Sequence, residues 1–178
     1  MLSEAASKRM QSWLEFKEEI VRPSWDETWM EQAAVIAKRS HDAQTKVGAV
    51  LVSTDNVLIS EGYNGFPRGI DDSQLPNLRP AKYLFFSALH AELNALLNAA
   101  RTGRSTKGSI AYITGPPCFD CAWALWQSGV VEIVCGCQPI NMLANVDYKI
   151  NMEIFRHLTM GQLLFREYHV DTSTMPSV

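Results

Sequence analysis

Apolar positions recur at two different spacings along this chain, and the switches between them mark out its elements. Residues 3–20 carry a loose helical stripe through Trp13, Leu14 and Ile20, with Val21 just beyond, which predicts a first helix. VRPSWDE (21–27) breaks it, and Ser24 or Asp26 can cap a second helix. That helix runs to about Lys38 with Met30, Ala33, Ala34 and Ala37 on one face. The pattern then tightens. KVGAVLVS (46–53) reads as a buried strand, Asp55-Asn56 as a tight turn, and VLISEGY (57–63) as the returning strand. A long loop, 64–83, holds three prolines and two glycines, and loops of that length inside a compact domain are usually functional.

Helical spacing returns in LHAELNALLNAAR (89–101), rich in Ala and Leu. SIAYIT (109–114) is a strand, GPPC interrupts it, and Cys118 opens a helix to about Gln127. VVEIVCGC (130–137) is the next strand, 138–150 a polar loop, NMEIFRHL (151–158) a short helix, and QLLFREYHV (162–170) a strand or an extended tail. This order predicts an α/β fold with helices on both faces of a sheet whose middle is parallel. It also divides the chain into an N-terminal helical extension (1–23), a core (24–137) and a C-terminal extension packed on that core (138–178).

Charge and composition narrow the function. The 178 residues hold 16 Lys+Arg against 19 Asp+Glu, a net charge of −3, so the basic excess of an electrostatic nucleic-acid clamp is missing. A strand-editing enzyme, which needs a basic track, is disfavoured for the same reason. The longest uncharged stretch, 133–146, is interrupted by Gln138, Pro139, Asn141 and Asn145 and predicts no membrane span. The charged N-terminus lacks the apolar core of a signal peptide. These features predict a cytoplasmic protein, in which the four cysteines point to metal binding, catalysis or burial before disulfides.

Two short motifs carry chemistry. His90-Ala91-Glu92 opens one predicted helix, and Pro117-Cys118-Phe119-Asp120-Cys121 opens the next. A catalytic zinc takes three protein ligands and keeps one position for water. His90, Cys118 and Cys121 supply three. The two cysteines, three apart, share a helix face in a first turn where the dipole favours thiolates. Mid-helix, His90 and Glu92 would diverge by about 200°. They address one centre only at a helix mouth, where His90 is free of helical geometry and Glu92 can act as the catalytic proton shuttle. Together the motifs resemble the zinc nucleobase deaminase signature, H-x-E followed by P-C-x-x-C. A competing arrangement is a closed structural site built from Cys118, Cys121, Cys135 and Cys137, which leaves His90 and Glu92 without a role.

Longer segments sharpen the resemblance. SWDETWMEQAAVIAKRS, KVGAVLV, EGYNGFPRG with the following DD, KYLFFSALHAELNALLNAAR and PPCFDCAWAL are similar to deoxycytidylate (dCMP) deaminases of the cytidine deaminase superfamily, over residues 25–134. The resemblance implies a three-layer α/β/α sandwich with a five-stranded mixed sheet. It implies one catalytic Zn²⁺ on His90, Cys118 and Cys121, and hydrolysis of dCMP to dUMP and ammonia for thymidylate synthesis. It further implies a homo-oligomer (hexamer or dimer), with dCTP and dTTP as effectors and Mg²⁺ accompanying them.

Residue roles carry over unevenly. Asn64 in GYNG is a candidate for the substrate's sugar or for an allosteric nucleotide, or else a turn residue at positive φ. Gly62, Tyr63, Gly65 and Arg68 belong to the same candidate allosteric or interface segment, where Gly62 and Gly65 can instead simply permit the turn. Arg101, nine residues after Glu92, points away from the zinc; it is a candidate for a phosphate or a neighbouring subunit, or else a helix C-terminal arginine favoured by the macrodipole. Phe86 and Ser87 are candidates for stacking on the base and holding the phosphate, as are Arg79 and Lys82 for the phosphate. The Ala91 N–H and Pro116 carbonyl are candidate partners of the base. CGCQPINM lacks the aromatic residue that many relatives carry, and Trp123 and Trp126 replace smaller side chains, Trp123 near the site or an interface and Trp126 in the core. These departures keep open a modified or triphosphorylated deoxycytidine nucleotide as substrate, or a degenerate dNTP-sensing module.

Overall fold

In the computed structural model, described for residues 2–17, 20, 22–75, 89–136 and 146–169, five strands form one sheet in the order β2-β1-β3-β4-β5. The strands are β1 (Gly48–Val52), β2 (Leu58–Tyr63), β3 (Ile110–Ile113), β4 (Glu132–Gly136) and β5 (Leu164–Tyr168). The helices are α1 (Glu4–Leu14), α2 (Trp25–Ala37), α3 (Ala91–Arg101), α4 (Phe119–Gln127) and α5 (Val146–Leu158). β1 pairs antiparallel with both β2 and β3, while β3, β4 and β5 are parallel. Thus β1 alone runs against the other four. The tight turn expected at Asp55-Asn56 forms, with Asn56 at φ 63°, and β1 lies between β2 and β3, so the parallel pairing expected in the middle of the sheet holds for β3–β4 while β1–β3 is antiparallel.

Alternation along the strands sorts side chains into two cores. Ala49, Leu51, Ala111, Ile113 and Ile133 pack with Ala91, Ala95, Ala122, Leu125, Met152 and Phe155, from α3, α4 and α5. Val50, Val52, Tyr112 and Val134 face the other way, against Met30 and Ala33 of α2. The result is the expected three-layer α/β/α sandwich with a mixed sheet.

Capping fixes where α2 begins. Ser24 accepts from Glu27 N–H at 3.2 Å while Glu27 accepts from Ser24 N–H at 2.6 Å, a reciprocal capping box. Asp26, the other candidate cap, is thereby released for tertiary contacts. Its Oδ1 accepts from the Tyr112 hydroxyl at 2.7 Å, and Arg166 donates to Oδ2 at 2.7 Å and to Oδ1 at 3.2 Å while also bridging to Glu132. The Asp26 carboxylate so ties α2 to β3 and β5, and Arg166 extends the link to β4 through Glu132. The Arg166 guanidinium holds the Asp26 carboxyl below its usual range.

Several elements differ from the sequence pattern. The first helix stops at Leu14 and buries none of its residues, so no tertiary face extends it toward residue 20. Ala34 is exposed, and Ile36 packs in its place. The fifth helix begins at Val146, inside the expected polar loop, and 164–168 is a paired strand. Phe155 holds α5 against α4 through edge-on contacts with Trp123 (4.8 Å between centroids) and Phe119 (5.9 Å). Trp123 is therefore committed to this aromatic cluster, and Trp126 packs on the same core.

Close approach of helices to the sheet requires glycine at Gly48 and at Gly62. A Cβ on Gly48 would lie 2.0 Å from Ala33 O of α2, and one on Gly62 would lie 2.4 Å from Ala95 N and 2.5 Å from Ala91 O of α3. Neither glycine has positive φ, so turn flexibility at Gly62 is corrected to helix–strand contact. Gly62→Ala must push α3 off β2, an overpacking cost of about 1–3 kcal/mol. Urea denaturation is expected to show that loss as a lower midpoint, and an unchanged midpoint would contradict the close approach.

Candidate metal centre and active site

The shared C-terminal edge of β2 and β3 brings two helix starts together. β2 leads through Asn64 and Gly65, and Gly65 bridges to Leu89, the residue before His90. β3 leads through Gly115, Pro116 and Pro117, all buried, into Cys118. His90 is the N-cap of α3 (φ −70°, ψ 156°) and Cys118 the N-cap of α4 (φ −69°, ψ 166°). Neither side chain caps its own helix. Pro117 stands just before the cap rather than inside the helix, where it holds the entering chain extended.

The side chains of His90 and Cys118 turn toward one another instead. Nδ1 of His90 lies 3.3 Å from Cys118 Sγ and 3.4 Å from Cys121 Sγ. All three ligand atoms fall within 4.8 Å of one another. Zn–S and Zn–N bonds at tetrahedral angles separate nitrogen from sulfur by about 3.6 Å, so these residues fit a zinc ion with small adjustments. Two thiols and an imidazole are also the ligand types zinc prefers. Among the described residues Cys135 is not part of this group: it is buried on β4. Cys137, the fourth member of the competing four-cysteine site, lies outside them.

Electrostatics at the group follow from burial and a shared proton. The Cys118 thiol is brought down to about 4, chiefly by a hydrogen bond from Cys121 and also by one from His90. The same Cys121–Cys118 bond, with burial, holds the Cys121 thiol up. Both helix N-termini add positive potential at the sulfurs. Glu92 is 4% exposed and in contact with Cys121, so the extended backbone at His90 does let both residues of the H-x-E pair meet one centre. Burial pushes its carboxyl up to about 7 against partial compensation from its own backbone N–H and His90.

The remaining candidates are distributed differently. Ala91 and Pro116 are buried beside the group, on the two chain segments that enter the helices. Asn64 is buried, but its amide is engaged by the backbone: Oδ1 accepts from Val47 N–H at 2.7 Å and Nδ2 donates to Thr45 O at 2.8 Å. Its φ is not positive, so the left-handed turn reading is corrected. Gly65 likewise lacks positive φ and forms the bridge to Leu89. Tyr63 ends β2 with its carbonyl accepting from Asn94 Nδ2 at 2.7 Å. Arg68 donates to Asn98 Oδ1 at 3.0 Å, and Arg101 is exposed in the last turn of α3, about 16 Å along the helix from His90. Phe86, Ser87, Arg79 and Lys82 lie outside the described residues. Sequence reasoning passed over Asn94. A polar amide one turn after His90 in an Ala/Leu-rich helix was the available signal.

Glu92 generates a pH test. Its carboxyl is raised in the folded state, so the folded protein is favoured while Glu92 is protonated and loses stability as pH rises from about 4.5 through about 7. In metal-free, reduced protein, Glu92→Gln removes this loss. Chemical denaturation at pH 5 and pH 8 is expected to show the variant gaining on wild type at the higher pH, by up to about 3 kcal/mol. A pH-independent difference would contradict a buried, raised Glu92.

Comparison with known proteins agrees with this geometry. The family pattern for the cytidine and deoxycytidylate deaminase zinc-binding region matches residues 23–137. The deoxycytidylate deaminase of Pongo abelii is 36% identical over 137 residues, covering 75% of this chain and 71% of that protein. The deoxycytidylate deaminase of Homo sapiens is 35% identical over 139 residues, with the same coverage. Among solved structures, the dCMP deaminase of cyanophage S-TIM5 in apo form superposes with a TM-score of 0.61 at 25% identity, covering 83% of this chain and 100% of that one. The same phage enzyme in complex with dCMP and dUMP superposes at 0.62 with 24% identity, over 84% of this chain and 100% of that one, a likeness of fold. No helix among the described residues is long and apolar enough to cross a membrane. A His–Cys–Cys group between two helix starts, a buried carboxyl beside it and a match across 23–137 make this chain a member of the zinc-binding cytidine and deoxycytidylate deaminase family.

Proposed function

We propose that this protein hydrolyses dCMP to dUMP and ammonia, supplying thymidylate synthesis. The observation that carries the reading is geometric: His90, Cys118 and Cys121 hold their ligand atoms within 4.8 Å of one another, and the buried carboxyl of Glu92 lies against Cys121, where it can take and give protons at the same centre. The names and identities of the curated relatives support the choice of deoxycytidylate.

His90, Cys118 and Cys121 would hold the zinc ion. Zinc supplies Lewis-acid chemistry there, making water acidic enough to act as a nucleophile near pH 7. Glu92 takes a proton from the attacking water as its oxygen adds to C4 of the cytosine. It passes that proton to N3, then takes the remaining proton from the C4 hydroxyl and gives it to the amine; the C4–N bond breaks, ammonia leaves and C4 becomes a carbonyl. The Ala91 N–H, at the start of α3, and the Pro116 carbonyl are offered as partners of the base. They sit on the two strands of chain that frame the group.

The same reading extends to a homo-oligomer, hexamer or dimer, with dCTP and dTTP as effectors bound with Mg²⁺, supported by the resemblance of the longer segments to deoxycytidylate deaminases. It extends also to a cytoplasmic setting, in which Cys118 and Cys121 stay reduced as ligands require.

Ammonia release measured across dCMP, CMP, deoxycytidine, dCTP and a 5-substituted dCMP tests the proposal. dCMP is expected to lead by at least about tenfold, equivalent to ~1.4 kcal/mol. Glu92→Gln is expected to lower kcat on the order of 10²–10⁴-fold while the protein still retains zinc. Release from none of these nucleotides by zinc-loaded protein would refute the activity, and an equal or better rate with dCTP or the 5-substituted nucleotide would move the substrate away from dCMP.

A further inference from the structure

The end of β2 grips α3 on both sides of His90. Before it, Gly65 and Leu89 exchange two backbone hydrogen bonds, Gly65 N–H to Leu89 O at 3.0 Å and Leu89 N–H to Gly65 O at 2.8 Å. After it, Asn94 Nδ2 donates to Tyr63 O at 2.7 Å, while the Asn94 N–H closes the first helical hydrogen bond onto His90 O at 2.9 Å. Gly62 allows the two backbones to approach this closely. The gripping segment is itself anchored. The Asn64 amide spans Thr45 and Val47, and Ser40 Oγ donates to Asn64 O at 2.7 Å.

These bonds belong to a seam. Asn64 N–H bonds Val47 O, so the even residues at this end of β2 face β1 and the odd carbonyls point outward. Those outward carbonyls are taken by side chains: Tyr63 O by Asn94, Glu61 O by Asn98 at 2.8 Å, and Ile59 O by Arg104 at 2.8 Å. The three bonds are chemically alike, but only that of Asn94 falls in the turn that starts at His90. Asn98 sits about 12 Å along the axis from His90.

We infer that Asn94 is a positioning residue for His90: its bond to the Tyr63 carbonyl, with the Gly65–Leu89 bridge, fixes the first turn of α3 and so aims Nδ1 at the two thiols. The GYNG segment is then the template that sets the metal ligand, a role distinct from contact with a nucleotide. The inference rests on reading His90, Cys118 and Cys121 as the metal group. Groups outside a metal's own ligands that orient those ligands typically control affinity by 10- to 100-fold.

The test compares Asn94→Ala with Asn98→Ala, which removes the equivalent bond one turn further along α3, with its bond from Arg68, and serves as the structural control. Zinc affinity by competition with a chromophoric chelator is expected to fall by at least about tenfold for N94A and to stay within about twofold for N98A. The visible absorption of the cobalt-substituted protein is expected to change for N94A alone. N94D, isosteric but without the amide donor, takes its place if N94A does not fold. In metal-free protein, amide hydrogen exchange over residues 89–92 is expected to accelerate for N94A or N94D and to match wild type for N98A. Wild-type affinity and exchange in the Asn94 variants would overturn the inference, as would equal losses in N98A. A wild-type protein that takes up no zinc would overturn the metal reading, and the exchange measurement would still decide whether Asn94 places His90.

Discussion

Nδ1 of His90 reaches two thiols at 3.3 and 3.4 Å because two helices start at the same edge of one sheet. At each start the cap residue keeps an extended backbone, so its side chain leaves the helix axis and can turn across the gap. The same two starts contribute the positive ends of two helix dipoles, which favour thiolate at Cys118 and Cys121. A sheet with β2 and β3 pointing in opposite directions would separate the two caps by the length of a strand. The hairpin that reverses β1 alone, and lets β2 run with β3, is thus a condition for the site.

Around this junction the chain places groups that are unfavourable in isolation. Glu92 is a buried acid whose ionised form is disfavoured by desolvation, and Cys121 is a buried thiol beside it. Such a cluster persists because its neighbours over-determine it. Ala91, Ala95 and Ala99 let α3 lie close on the sheet, Gly62 removes the last obstacle, and the seam of side-chain bonds to β2 fixes the helix lengthwise. The opposite face of the sheet is held by a different device. There the Asp26–Arg166–Glu132 bridge and the Tyr112 hydroxyl link α2 to three strands.

Much of this was legible residue by residue. The Ala/Leu spacing of 89–101 and the apolar run 46–53 marked a helix and a strand because burial imposes period 3.6 on one and near-continuous hydrophobicity on the other. His90, Cys118 and Cys121 were identifiable as a set because zinc demands particular ligand types, and their spacings from helix starts allow one centre. Other residues could not be read this way. Asn64 looked like a turn or ligand residue, yet its amide is consumed by Thr45 and Val47, which are 19 and 17 positions away. Gly62 looked like a flexible turn glycine, and its requirement is the backbone of α3 at Ala91 and Ala95, 29 and 33 positions further along the chain. Arg166 and Asp26, 140 residues apart, carry no sequence mark of their pairing.

By itself the sequence determined the identities of the metal-type side chains, their attachment to helix starts and the two periodicities that build the layers, since each depends on neighbours within a few residues. Tertiary structure alone decided that β1 pairs antiparallel with β3 as well as with β2, which buried amides serve the backbone, and that Gly62 lies against the backbone of α3. The physical reason is the range of the forces. Helical and strand periods, caps and turns are set by contacts along the chain, while sheet order, close approach at Gly62 and the raised carboxyl of Glu92 arise from surfaces that meet only once the layers have packed.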